Sequence, residues 1–218
     1  MPVLMEVWGD YGCFSRPELK VERVSYEVMT PSAARGILDA IFWHPGMRWQ
    51  IDRIYVLAPI QFTNIRRNEC KSKVSGSKVR TVMGSGKGEL CLYTSEDIQQ
   101  RAAMVLRDVH YVIEAHFEMT GNATPSDNPG KFQDMITRRL DKGQCFHQPC
   151  FGTREFPAKF CRWTGKTIPT IHEDRELGLM LFDIDYSDSS DIRPMFFRAN
   201  LKNGIMEVPA PASREVFR

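Results

Sequence analysis

From Val109 to Met119 the chain alternates: Val109, Tyr111, Ile113, Ala115, Phe117 and Met119 are apolar, while His110, Glu114, His116 and Glu118 between them are polar. Period two is the mark of a strand with one face buried and the other in water, so this run reads as a half-buried strand. A polar turn from Gly121 to Gly130 follows. Phe132, Met135, Ile136 and Leu140 then recur at helical spacing, and Gly143 closes that helix.

The same succession occurs earlier in the chain. Val3-Leu4-Met5-Glu6-Val7-Trp8 is strand-like, and Thr30 as N-cap with Pro31 in the first turn introduces the apolar stripe Ala34, Ile37, Leu38, Ile41 and Phe42. Pro45-Gly46 stops the helix, and Arg53 to Phe62 reads as the next strand, rich in β-formers. Further strand candidates are Phe146 to Phe151, Gly178 to Asp185 and Met195 to Leu201, with Asn203-Gly204 turning the chain into Ile205 to Val208. Two β-α-β units predict an α+β fold: a ferredoxin-like, RRM-type domain over 1–185, with a small C-terminal antiparallel β-sheet region over 186–218. Such a sheet keeps its helices on one face and leaves the other face and the loops to a ligand, as RNA-binding modules do.

Charge is unevenly placed. The formal net charge is only +2, but residues 64–88 carry Arg66, Arg67, Lys71, Lys73, Lys78, Arg80 and Lys87 against the single acid Glu69. With four glycines, four serines and no aromatic residue, this segment is expected as a basic loop or exposed hairpin that orders on a partner. Unpaired like charges repel unless an anion holds them, and phosphates are the obvious anion, though a solvated surface loop is the plainer reading. Residues 171–191 carry the opposite charge, with Glu173, Asp174, Glu176, Asp183, Asp185, Asp188 and Asp191 opposed by Arg175. No apolar run approaches bilayer length and no signal peptide is recognisable, so a soluble cytoplasmic protein with reduced cysteines is expected.

Three constellations invite chemistry, and each has a plainer explanation. Cys145, His147, Cys150 and Cys161 are zinc-ligand types, but their spacing lacks a paired C-x-x-C and suits ordinary thiols. Gly84-Ser85-Gly86-Lys87-Gly88 resembles a phosphate loop without its upstream glycine at Thr81 or the hydroxyl residue after the lysine. His110, His116, Glu114 and Glu118 share one strand face, which simple alternation on an exposed sheet also explains. No metal or cofactor is expected.

One resemblance is specific. Arg16-Pro17, Lys20 to Tyr26, Thr30 to Leu38, Asn64-Ile65-Arg66-Arg67-Asn68-Glu69, Arg107-Asp108-Val109-His110-Tyr111, Gly130-Lys131, Arg138-Arg139, Gly143-Gln144-Cys145-Phe146 and Gly152-Thr153-Arg154-Glu155-Phe156 follow one another as in the type I-C Cas-five family of CRISPR-associated proteins. The resemblance spans nearly the whole chain. It implies a ferredoxin-like fold of the repeat-associated (RAMP) class and a part in antiviral defence. It further implies a metal-independent endoribonuclease that cuts precursor CRISPR RNA (crRNA) at the repeat hairpin and stays on the 5′ handle. There it would sit in a surveillance complex beside the repeated backbone subunit and the large subunit.

The implied reaction is attack of a ribose 2′-hydroxyl on its own phosphate, leaving a 2′,3′-cyclic phosphate. That needs proton transfer and a cation against the phosphorane. The family places a tyrosine at the end of the first helix and a Lys-His pair at the start of the second. Lys131 matches the lysine, whereas Phe42 and Phe132 stand at the other two positions. Replacement acids or bases are sought in His44, Tyr26 and His147, and RNA contacts in Arg16, Lys20, Arg23, Arg35, Arg66, Arg67, Lys71 and Lys73. The missing pair leaves a non-catalytic subunit gripping the crRNA handle as the alternative. Non-specific DNA binding is a further option, because phosphate contacts do not tell the polymers apart.

Overall fold

A computed structural model describes residues 2–19, 21–186, 188 and 190–217. Strand β1 (Val3–Gly12) leads to helix α1 (Pro31–Ile41) and strand β2 (Met47–Val56). Thr30 caps α1 by accepting a hydrogen bond from the Ala33 amide (3.3 Å), and Pro31, Ala34, Ile37, Leu38 and Ile41 form its buried stripe. The helix stops where Phe42 turns extended, at φ −150° and ψ 115°.

After β2 come strand β3 (Phe62–Cys70), helix α2 (Gly76–Ser85) and the long strand β4 (Ile98–Met119). Helix α3 (Pro129–Lys142) follows, capped by the Asn128 side chain on the Lys131 amide (2.9 Å) and closed by Gly143 at φ +61°. Strand β5 (Lys159–Arg162) completes the second unit, and β6 (Arg175–Asp185), β7 (Arg193–Lys202), β8 (Ile205–Glu207) and β9 (Val216–Phe217) end the chain.

Four of these strands lie in the order β5-β1-β4-β2, every neighbouring pair antiparallel. With α1 and α3 as the crossovers, that is the ferredoxin-like β-α-β-β-α-β arrangement. The sheet does not end at β2: β8 pairs with β2, β7 with β8, and β6 with β7. It curls far enough for β6 to lie against α1, where Arg35 grips Asp183 with two hydrogen bonds of 3.0 and 2.9 Å. One core therefore runs under both parts, from Met5, Ile37 and Ile113 to Met180, Phe197 and Met206.

Four expectations change. The strand expected over 53–62 is β2, which ends at Val56, and residues 57–61 belong to no strand. The basic segment 64–88 is not a loop. It contains most of β3 and all of α2, and β3 pairs along its length with the first half of β4 to form an arm leaving the core. Residues 146–151 form no strand; they make a loop in which Gly152, at φ +82°, presses against the chain so closely that a Cβ would stand 1.9 Å from the Cys13 carbonyl oxygen. The strand β6 starts at Arg175, before residue 186, and pairs with β7. Asn203 and Gly204, at φ +50° and +73°, make the tight turn between β7 and β8 that the sequence indicates.

Candidate functional site

The end of α1 and the start of α3 meet. Phe42 and Phe132 are fully buried there, ring centroids 5.9 Å apart, with Phe117 behind Phe132 at 6.1 Å. These rings replace ionisable groups with a packed apolar floor. Extended geometry at Phe42 makes the next side chains alternate: Phe42 goes inward, Trp43 outward, and His44 comes back over Phe132 with ring centroids 4.9 Å apart. On this floor stand His44, Asp127 and Lys131.

Lys131 projects from the first turn of α3, and its ammonium lies 2.9 Å from Asp127 Oδ1. Asp127 Oδ2 accepts hydrogen bonds from the Thr124 amide (2.9 Å) and hydroxyl (2.7 Å) and lies 4.0 Å from His44 Nε2. Only 2% of the Asp127 side chain is exposed, against 43% of Lys131 and 32% of His44. The lysine first, and then the Thr124 donors, hold the Asp127 carboxyl well below the usual carboxylate range. His44 Nδ1 accepts the Gly46 amide at 3.0 Å, so the neutral ring keeps its proton on Nε2, the nitrogen that faces Asp127. The arrangement offers an anion one ammonium, held by Asp127, and one imidazole N–H, held by the Gly46 amide.

The other sequence candidates lie elsewhere. Tyr26 is buried, its phenol bonded to the Leu181 backbone and its ring under the Arg16 guanidinium at 4.5 Å; burial pushes its pKa up. His147 is exposed, its ring 4.4 Å from that of Phe146, and the amides of both residues bond to the Ala40 carbonyl at the end of α1.

Of the cationic residues expected to hold RNA, several are already engaged. Arg16 pairs with Glu27 at 2.9 Å, and Arg35 with Asp39 at 2.8 Å as well as Asp183. Arg23 and Arg67 share Glu69 and Glu155 in a network at the root of the arm, joined by Arg101. Arg66, Lys71 and Lys73 are exposed on the arm and make no ion pair with any described residue. Lys20 lies outside the described residues.

Among the described residues no group of three or more His, Cys, Asp or Glu is placed to hold a metal ion. The candidate zinc ligands do not converge: Cys161 instead donates to Glu6 Oε2 (3.4 Å), and burial followed by that carboxylate pushes its thiol up to about 11. His110 and His116 are each taken by a carboxylate of a neighbouring strand, Glu6 at 2.7 Å and Asp52 at 2.9 Å. The glycine-rich segment ends α2, with Gly86 as its C-cap. No helix is long and apolar enough to cross a membrane.

The sequence pointed to Lys131 and His44 but missed Asp127. The available signal was its position four residues before Lys131, in the polar turn that caps α3, where an i,i+4 acid-base pair closes on itself.

The model of a protein family described as "CRISPR-associated protein (Cas_Cas5)" matches residues 3–209. A CRISPR pre-crRNA endoribonuclease Cas5d of Mannheimia succiniciproducens is 51% identical over 224 residues, covering 99% of this chain and 98% of its own length. A protein of the same description from Thermus thermophilus is 39% identical over 231 residues, covering 98% and 94%. Among solved structures, a CRISPR-associated protein superposes with a TM-score of 0.71 at 20% identity, over 100% of this chain and 97% of that one. A chain of a CRISPR RNA-guided surveillance complex gives 0.57 at 14%, over 99% and 95%. At these identities the structural likeness speaks for the fold alone.

Proposed function

The chain belongs to the CRISPR-associated Cas5 family, in its type I-C form, and from this we propose that it cuts precursor crRNA at the His44-Asp127-Lys131 cluster. The observation that carries this reading is the cluster itself: an ammonium held by a carboxylate at 2.9 Å, with an imidazole nitrogen 4.0 Å from the same carboxylate, at the position where the family's catalytic residues are expected. The relatives named as pre-crRNA endoribonucleases support it.

The ribose 2′-oxygen attacks the adjacent phosphorus, its proton passing to solvent, and the bond to the 5′-oxygen breaks. Lys131 neutralises the charge gathering on the phosphorane, and His44 Nε2–H donates a hydrogen bond to the phosphorane or to the departing 5′-oxygen, which takes its proton from solvent. Asp127 touches neither; it positions Lys131, while the Gly46 amide positions His44. The products are a 2′,3′-cyclic phosphate and a 5′-hydroxyl, with no metal in the scheme. After the cut the protein stays on the 5′ handle, with Arg66, Lys71 and Lys73 of the arm on the RNA backbone, inside a complex with the backbone and large subunits.

Purified protein incubated with its own repeat RNA in EDTA tests this. A single cut is expected, abolished by a 2′-deoxy at the cut site and slowed at least about a hundredfold in Lys131→Ala and His44→Ala. Tight binding with no cut under any condition would leave the non-catalytic handle-binding subunit, the reading that Phe42 and Phe132 favour. Binding that is equally tight for DNA of the same sequence would remove RNA as the preferred polymer.

A further inference from the structure

Two large aromatic side chains flank the cluster without burying themselves. Of the four tryptophans, Trp43 stands out at 60% exposure, and Phe146 is 75% exposed. Both are held at the last turn of α1. Trp43 lies between Phe42 and His44, and the Phe146 and His147 amides both bond to the Ala40 carbonyl, at 2.9 and 3.0 Å. The His147 ring packs against that of Phe146 at a steep tilt, at 4.4 Å between centroids and 65° between planes, and still leaves most of the Phe146 side chain exposed.

The neighbourhood is cationic. On α3, Lys131, Arg138 and Lys142 fall at i, i+7 and i+11, one face of the helix, and all three are exposed. Arg138 and Lys142 have no ion pair with any described residue. Arg139 reaches back to the Ile41 carbonyl and lies over the Phe42 ring at 5.2 Å, which ties this face to the end of α1.

Exposed aromatic rings beside a row of cations are how proteins hold single-stranded nucleic acid: cations follow the phosphates while rings stack on the bases. We propose that Trp43 and Phe146 are stacking platforms for unpaired RNA bases on either side of the scissile phosphate, with Arg138 and Lys142 guiding the backbone. This rests on the cleavage reading for the place of the cut, and it assigns the RNA flanking the hairpin, rather than the hairpin stem, to this surface. Stacking would splay the strand at the cut, freeing the 2′-oxygen to line up with the 5′-oxygen opposite.

The test is equilibrium binding, which does not depend on cleavage. A repeat RNA blocked by a 2′-deoxy at the cut site is compared with the same hairpin trimmed of its unpaired flanks. Trp43→Ala and Phe146→Ala should each weaken binding of the flanked RNA about tenfold, with Trp43→Phe retaining most of it and the trimmed hairpin binding as before. Flanking 2-aminopurine should be quenched by the parent protein and less so by the alanine variants. Arg138→Ala should lower the salt dependence of binding, which the aromatic variants leave unchanged.

Flanked RNA bound within twofold of the parent by both alanine variants would overturn the proposal and turn the two rings into a contact for a protein subunit. Equal losses on flanked and trimmed RNA would overturn it as well. Failure of cleavage with these binding differences intact would overturn only the catalytic reading; failure of the parent to bind either RNA would overturn both.

Discussion

Arg35 and Lys131 are both cations in the N-terminal halves of helices, and their surroundings give them opposite tasks. Arg35 is held by Asp39 and Asp183, the latter 10% exposed, so its charge is spent inside the protein, joining α1 to β6. Arg35→Ala should destabilise the fold by about 2 kcal/mol, read as a fall in Tm of roughly 5 °C, while RNA affinity and its salt slope stay unchanged below the transition. A change in the salt slope would return Arg35 to the RNA surface. Lys131 has one partner and faces solvent. Its carboxylate, Asp127, has a folded-state pKa depressed by Lys131 and Thr124. A depressed value means that the stability it contributes is present above the carboxyl's unfolded value and is lost as pH falls through the folded one. The Tm gap between parent and Asp127→Asn should therefore hold constant from pH 8 to about 5 and close only below about pH 4. A gap already closing at pH 6 would contradict the pairing. The sequence revealed Lys131 through its motif and His44 through its nearness to Phe42. It said nothing of which arginines were spent, because Asp183 lies far along the chain from Arg35.

Among the elements, α1 was legible from a capping threonine, a proline in the first turn and an apolar stripe, and α3 from its apolar stripe and the glycine that closes it. The second half of β4 was legible for a related reason, since only one of its faces meets the core. The arm was not. Residues of β3 alternate between exposed and half-exposed, so neither face imposes an apolar period, and α2 buries no residue at all. A helix of this length without tertiary packing is marginal in water. Amides of Lys78 to Ser85 should exchange with solvent quickly in the free protein and slow at least tenfold on repeat RNA, whereas those of the β3–β4 ladder are protected in both states. Protection of α2 without RNA would show that the arm is complete by itself. The segment 146–151 misled in the other direction: its Phe and Cys residues suit a strand, but Phe151 goes to the core from a loop pinned against β1 at Gly152.

Across the whole molecule, the ferredoxin-like order follows from two β-α-β units, while the continuation into the last strands rests on pairings between distant residues that local pattern cannot express. Because β8 pairs with β2 and β7 with β6, cutting the chain after residue 185 would strip the partners from two strands at once. The fragment 1–185 should be insoluble, judged by soluble yield and size-exclusion chromatography; a folded monomer would show that the C-terminal region is dispensable. The central strand has a different consequence. β4 runs for 22 residues, about 70 Å at the usual rise per residue, and it serves both the core and the arm. Its one left-handed residue, Asp108 at φ +53°, lies where the arm departs. On the proposed reading the protein would carry its own yardstick: an RNA touched by the arm at one end and cut beside α3 at the other would be trimmed to a length written in the polypeptide. Every guide would leave with the same end, whatever sequence it carries beyond it.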